Sequence, residues 1–280
     1  FNRNGSGFSD PVVIDTVPAP IPGSVRAVNM NGQARAGLVW NSMRGRSIGY
    51  VQLEFGEAVP ASLLAGIDNG SGLRSELTYR WAVDDQLRDF REGRRWDTNL
   101  PFPLTVVAGS RETDLVSGQV TATEYRYHEG HFDRRTRQFQ GFRRAERIER
   151  GDESRADVLT EFEYLMAEET RPGHGPEHAA RNGLQRRTAT YSLDGSARQH
   201  APYRLEECTH ELTIVGTALD GRKKVFFAVT AYRTEDRERT ADLRVEEKTY
   251  QYDAFGNVTI ERLRGVGTKD GAAMPGRERV

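Results

Sequence analysis

The 280-residue chain has little of what would staple, metallate or strongly charge a protein. Its single cysteine, Cys208, excludes an internal disulfide framework and any multi-cysteine zinc site. Forty Lys and Arg stand against 41 Asp and Glu, a formal net charge of −1. That balance argues against a protein whose main work is gripping nucleic acid or an anionic membrane. No run of about 18 apolar residues occurs, so the sequence offers no helical membrane span. GxSxG, Walker A, Rossmann and HExxH patterns are all missing. Phe1 opens the chain inside a Gly/Asn loop with neither Met nor a signal-peptide pattern, and the sequence reads as a segment of something longer. The hydrophobic share of 36% is thin for this length, yet 12 Phe, 10 Tyr and 3 Trp are too many for a solvated coil.

What is present is period-2 alternation, the mark of half-buried strands. In 121–127, Thr121, Thr123, Tyr125 and Tyr127 share one side. In 158–166, Val158, Thr160, Phe162, Tyr164 and Met166 oppose Glu161 and Glu163. Residues 224–232 are apolar on both sides, which predicts a strand buried on both faces. The runs 245–252 and 258–263 flank Asp253-Ala-Phe-Gly-Asn257, a hairpin in which Gly256 or Asn257 takes a positive φ. Helical spacing is scarce: a short stretch at 61–65 after Pro60, and 81–90, where Val83, Leu87 and Phe90 recur on one side. Fold class is therefore all-β. Residues 1–41 hold two Gly/Asn-rich loops joined by the Pro-rich connector 17–23, 167–183 is the least ordered-looking stretch, and the tail after Gly265 reads as frayed.

Few residue sets promise chemistry. Asn2, Asn4, Ser6 and Asp10 place oxygen ligands at positions 1, 3, 5 and 9 of a Gly-containing loop, as a weak calcium site requires; a β-turn with its Asn side chains bonded to the backbone explains the same residues. Calcium there is the one cofactor the sequence suggests. A second copy, Asn29-Met-Asn-Gly-Gln-Ala-Arg-Ala-Gly37, lacks the acid and carries Arg35, so it binds no metal; its repetition before an apolar strand is how propeller blades are written. His128, His131 and Asp133 can be drawn as an acid–base cluster, but positions i and i+3 of a strand point to opposite faces. His174 and His178 sit in a Pro-rich loop without preorganisation. Cys208 and His210 have no third partner to complete a nucleophilic set. Arginines at 134–137 and 143–147 alternate with Phe132, Phe139 and Phe142 and are followed at once by acids. The rings read as core anchors and the arginines as solvated or cross-strand paired charges.

In order along the chain, several blocks resemble one family. Asn29–Trp40, Pro60–Leu64, Asn69–Gly72 and Leu77–Tyr79 precede Trp96-Asp-Thr-Asn-Leu-Pro-Phe-Pro103. Tyr125-x-Tyr-His-x-Gly-x-Phe-Asp133 and Phe139-Gln-Gly-Phe142 follow, then Gly183–Tyr191, Asp194-Gly195, Pro202-Tyr203 and the YD unit Tyr252-Asp-x-x-Gly-Asn257. Together they resemble the B component of insecticidal toxin complexes and the virulence-plasmid B proteins, with RHS (YD) repeats. Gln138 and Gln140 depart from the family's Glu and Arg. The resemblance, over roughly 1–265, implies the end of a β-propeller over 1–75 and the first strands of an RHS-type β-shell over 76–265; the Gly-rich composition beyond gives a disordered or unpaired tail over 266–280. It further implies a secreted, non-enzymatic structural part, the wall and gate of a hollow shell. Its partners would be an encapsulated toxin cargo domain and other toxin-complex subunits, with no nucleic acid and no direct membrane span. Two other readings stand beside it: a surface β-module binding a glycan or receptor through the loops at 1–41, calcium-assisted, and a hydrolase built on His128, His131 and Asp133.

Overall fold

The computed structural model describes residues 3, 5–15, 25–30, 37–44, 47–55, 63–97, 100–134, 136–166, 180–237, 242–269 and 272–279. The chain divides into two compact units, Phe1–Ala58 and Val59–Val280. In the first unit, β1 (Val25–Val28), β2 (Gly37–Arg44) and β3 (Ser47–Glu54) form an antiparallel sheet in that order. Val39 and Trp40 supply its buried side chains. Gly37 is required at the start of β2: a Cβ there would lie 3.0 Å from the Leu53 carbonyl oxygen.

The second unit is one up-and-down sheet. Its strands are β4 (Gly66–Asp68), β5 (Leu73–Trp81), β6 (Thr105–Asp114), β7 (Val120–Asp133), β8 (Gln138–Glu149) and β9 (Asp157–Tyr164). They continue as β10 (Gln185–Leu193), β11 (Arg204–Thr217), β12 (Lys223–Asp236), β13 (Arg244–Tyr252), β14 (Val258–Lys269) and β15 (Ala272–Arg279). All twelve lie side by side in chain order, each antiparallel to its neighbours, an arrangement that consecutive strands reach without a crossover. Between β5 and β6 the chain forms the helix α1 (Ala82–Arg91).

Several expectations need correction. The unit boundary falls at 58/59, not 75/76, because β4 and β5 pair with each other and β5 with β6 in the large sheet. The tail is not unpaired: β14 runs to Lys269 and β15 adds to it, since the Gly-rich sequence there still offers a ladder partner. Residues 63–65 are not helical, and 61–62 lie outside the described residues. On β12 only Ala228 and Glu235 are buried; its aromatics lie half-exposed, and among the described residues no second layer covers the strand. The 253–257 turn is as expected, with Gly256 at φ 87° and Asp253 accepting from the Phe255 and Asn257 amides.

Register makes the sheet's faces legible, because directly opposed residues share a face. One row, which includes His128, crosses eight strands: His128, Arg144, Glu163, Arg187, Glu207, Arg233, Glu247 and Arg264. From Arg144 onward its charge alternates in sign at every strand. The next row holds Arg126, Glu146, Glu161, Ala189, Leu205, Glu235, Val245 and Val266. Arg187 pairs across strands with Glu163 at 2.9 Å, and Arg233 pairs along β12 with Glu235 at 2.6 Å. Opposite charges across neighbouring strands stabilise the ladder without an apolar layer.

A charge network beneath the helix

The only described helix turns the wrong way for an ordinary core. Val83, Leu87 and Phe90 lie on one side of it, as the spacing predicts, but Leu87 is 45% and Phe90 64% exposed. The buried residues are Ala82, Asp85 and Asp89. Asp84 and Asp85 in the first turn and Arg88 and Arg91 in the last complement the helix dipole. The C-terminus closes in a Schellman motif: the Gly93 amide donates to the Phe90 carbonyl and the Arg94 amide to the Asp89 carbonyl. Gly93 takes the left-handed conformation this needs, with φ 82°, and the turn brings Arg94 back over Asp89.

Two carboxylates organise everything below. Asp85 accepts from Arg80 Nε at 3.0 Å and Nη2 at 2.7 Å, a bidentate pair, and from Arg88 Nη1 at 2.5 Å. Arg80 also donates to the Tyr125 carbonyl and Arg88 to that of Tyr127, tying the helix to the backbone of β7. Asp89 accepts from Trp96 Nε1 at 2.8 Å and Arg94 Nη2 at 3.1 Å. His128 Nδ1 lies 2.9 and 2.8 Å from the two Asp89 oxygens, which fixes the proton on Nδ1. His128 Nε2 stands 3.0 Å from Glu146 Oε1, so the ring bridges the two carboxylates. Burial alone would push the Asp89 carboxyl up; the hydrogen bonds from Trp96 and His128, the His128 charge and Arg94 hold it below its ordinary value. Glu146 is likewise opposed by burial and held down by His128, Arg144 and Arg126.

An aromatic cluster seals one flank. Trp96 meets Phe142 edge-on at 6.1 Å, Phe142 meets Tyr127 at 4.8 Å and Phe139 at 5.2 Å, and Phe102 meets Phe132 at 5.6 Å. Gly130 makes the fit: a Cβ there would stand 2.9 Å from Trp96 and 3.1 Å from Phe142.

The structure separates the residues that the acid–base reading grouped. His128 joins Asp89 and Glu146, whereas Asp133 accepts from Thr136 in the following turn. His128 is 1% exposed, so no substrate atom reaches its nitrogens. Asp89 has no signal in the sequence because a helix with Leu and Phe at core spacing is expected to bury those residues instead, and Glu146, on β8, reads as one of the solvated acids after the arginines. Burial and the nearby Glu206 push the Cys208 thiol up, away from the reactive thiolate, and burial lowers His210. Among the described residues of the Phe/Arg stretch, Arg143 is paired to Glu129 at 2.9 Å, Arg147 lies over the Phe162 ring, and Phe132, Phe139 and Phe142 join the aromatic cluster; Arg135 lies outside the described residues. Of the proposed calcium ligands, Asn2 and Asn4 lie outside the described residues, as do His174 and His178. The Ser6 hydroxyl donates to the Arg3 carbonyl at 2.5 Å, and among the described residues no group of three or more His, Cys, Asp or Glu is placed to hold a metal. No described helix is long and apolar enough to cross a membrane.

Residues 4–168 match the family described as the insecticide toxin TcdB middle/N-terminal region, more than half of the chain. Three solved structures share the fold. A Photorhabdus luminescens Tc holotoxin pore aligns at TM-score 0.73 and 20% identity over 90% of this chain. TcdB2-TccC3 aligns at 0.74 and 18%, and TcdB2-TccC3 without its hypervariable C-terminal region at 0.75 and 19%, each over 99% of this chain. The chain spans only 14–15% of the length of these structures. Comparison with curated proteins gives no match.

Proposed function

Because the chain belongs to the family of the insecticide toxin TcdB middle/N-terminal region, we propose that it is a mechanical part of a secreted toxin complex. In this reading the second unit is the beginning of an RHS-type wall, and the first unit is the end of a propeller that gates the enclosed space. The observation that carries it is the large sheet itself. Twelve strands in chain order, with charged rows in place of a buried layer, make a surface that can stand with solvent or cargo against it. A globular enzyme of this length would instead bury a continuous core behind a cleft. The charge network under α1 fits a structural role too, since its histidine and carboxylates face each other rather than an open site. The partners are then a toxin cargo domain inside the shell and the other subunits of the complex.

Protease protection tests this reading in the full-length toxin protein that carries the segment. Enclosed cargo survives a protease dose that digests the same cargo expressed alone. Equal digestion rates for the enclosed and free cargo would overturn the wall-and-gate role.

A further inference from the structure

Beside the helix network lies a cleft of about 650 Å³, lined by Arg94, Glu129, Arg143, Arg144, Glu163, Tyr164, Leu165, Met166, Arg181 and Arg186. Its volume falls in the range of ordinary ligand sites. Among the described residues that line it, five are arginines and two are acids. Two arginines are already engaged, Arg94 with Asp89 and Arg143 with Glu129. Of the acids, Glu129 is held by Arg143 and Glu163 by Arg187 from outside the cleft.

Three guanidinium groups are only lightly engaged among the described residues. Arg144 reaches Glu146 and Glu161 only at 3.8 Å. Arg181 gives Nε to the Met166 carbonyl and meets no carboxylate among the described residues. Arg186 sits in the register shift between Gln185 and Arg187. Such a bulge takes a residue out of the ladder and re-aims its side chain. The Arg186 guanidinium is exposed and has no partner among the described residues.

We infer that this cleft docks an acidic polypeptide segment. Planar guanidinium forks match carboxylates in bidentate fashion, and three under-used forks around one cleft supply the excess positive charge. Glu129 and Glu163, interspersed among them, disfavour a compact polyanion such as a polyphosphate, yet can accept peptide N–H groups. Tyr164 and Leu165 add an apolar strip for neighbouring side chains, backed by the buried Met166. Charge complementarity, a mixed rim and an apolar strip suit a chain segment in which Asp or Glu alternates with apolar residues.

Fluorescence anisotropy tests it on the folded protein, with a labelled short peptide of alternating Glu and Leu as probe. The expected result is saturable binding that a Lys/Leu peptide does not reproduce. The single variant Arg186→Glu, at an exposed position, and the double variant Arg144→Gln/Arg186→Gln should each weaken it about tenfold or more, the factor that one lost charge-assisted hydrogen bond represents. A thermal melt confirms that each variant is folded, and Arg186→Glu serves alone where the double variant is not. Equal binding of the Lys/Leu peptide, unchanged affinity in the folded variants, or tighter binding of pyrophosphate than of the Glu/Leu peptide would each overturn the assignment.

Discussion

At Gly130 a hydrogen atom stands where any other residue would place a carbon against Trp96 and Phe142. Overpacking a seat of this kind costs about 1–3 kcal/mol. Gly130→Ala is therefore expected to lower the thermal midpoint of the second unit and to perturb tryptophan fluorescence, whereas alanine at Gly49, with open space around it, leaves both unchanged. An unshifted midpoint for Gly130→Ala would show that the aromatic cluster yields freely. The residues of this seat were visible in the sequence only as family blocks. Trp96, Phe102, His128, Gly130, Phe132 and Phe142 lie in the Trp-to-Pro103, Tyr-His-x-Gly and Gly-Phe strings, and the fold shows why: they surround one buried carboxylate and its aromatic flank. Asp89, the centre of the group, has no motif of its own, because a lone Asp in a charged stretch looks solvated.

For the helix, the period was legible and the direction was not. Spacing placed α1 correctly and suggested that Val83, Leu87 and Phe90 face the core. The arginines of β5 and the post-helix turn reverse this, since Asp85 and Asp89 gain charge-assisted hydrogen bonds that an apolar contact cannot replace. Replacing both Leu87 and Phe90 by Gln should accordingly change stability by no more than about 0.5 kcal/mol, read from denaturant midpoints; a loss comparable to that of a core truncation would restore the conventional orientation. Removing the anchor is different. Asp89→Asn leaves His128 and Arg94 facing an uncharged group and should cost about 3–5 kcal/mol, as breaking a buried pair does. The pH dependence has a definite sign. Asp89 and Glu146 are held below their ordinary values in the folded protein, so folding favours their ionised forms. Their contribution is complete above the unfolded carboxyl pKa of about 4 and is lost as pH falls through the lower folded values. Melting midpoints measured downward from pH 5 should fall, less steeply in Asp89→Asn. An identical slope in the variant would remove Asp89 from the acid response.

On the scale of the whole molecule, alternation alone was enough to predict an all-β chain, and the turn chemistry at Asp253–Asn257 located a hairpin. The large sheet's extent was not legible, because a strand such as β12, apolar on both sides in sequence, reads as the middle of a sandwich. Only the register reveals a single layer whose charged rows run across the strands. Neither could composition tell that β4 belongs with the second unit or that the Gly-rich end pairs as β15; backbone pairing decides both, and side-chain pattern carries little trace of it.

The wall claim turns on the two faces of this sheet being different environments. Glu246 and Glu247 are adjacent on β13, yet Glu247 opposes Arg233 in the charged row and Glu246 opposes Thr234 on the other face. In the toxin protein, in a background with every native cysteine including Cys208 replaced by serine, Glu246→Cys and Glu247→Cys should react with a bulky maleimide at rates differing about tenfold or more while the shell is closed. The difference should vanish on denaturation. Equal rates in the closed, native protein would contradict a wall that separates an inside from an outside.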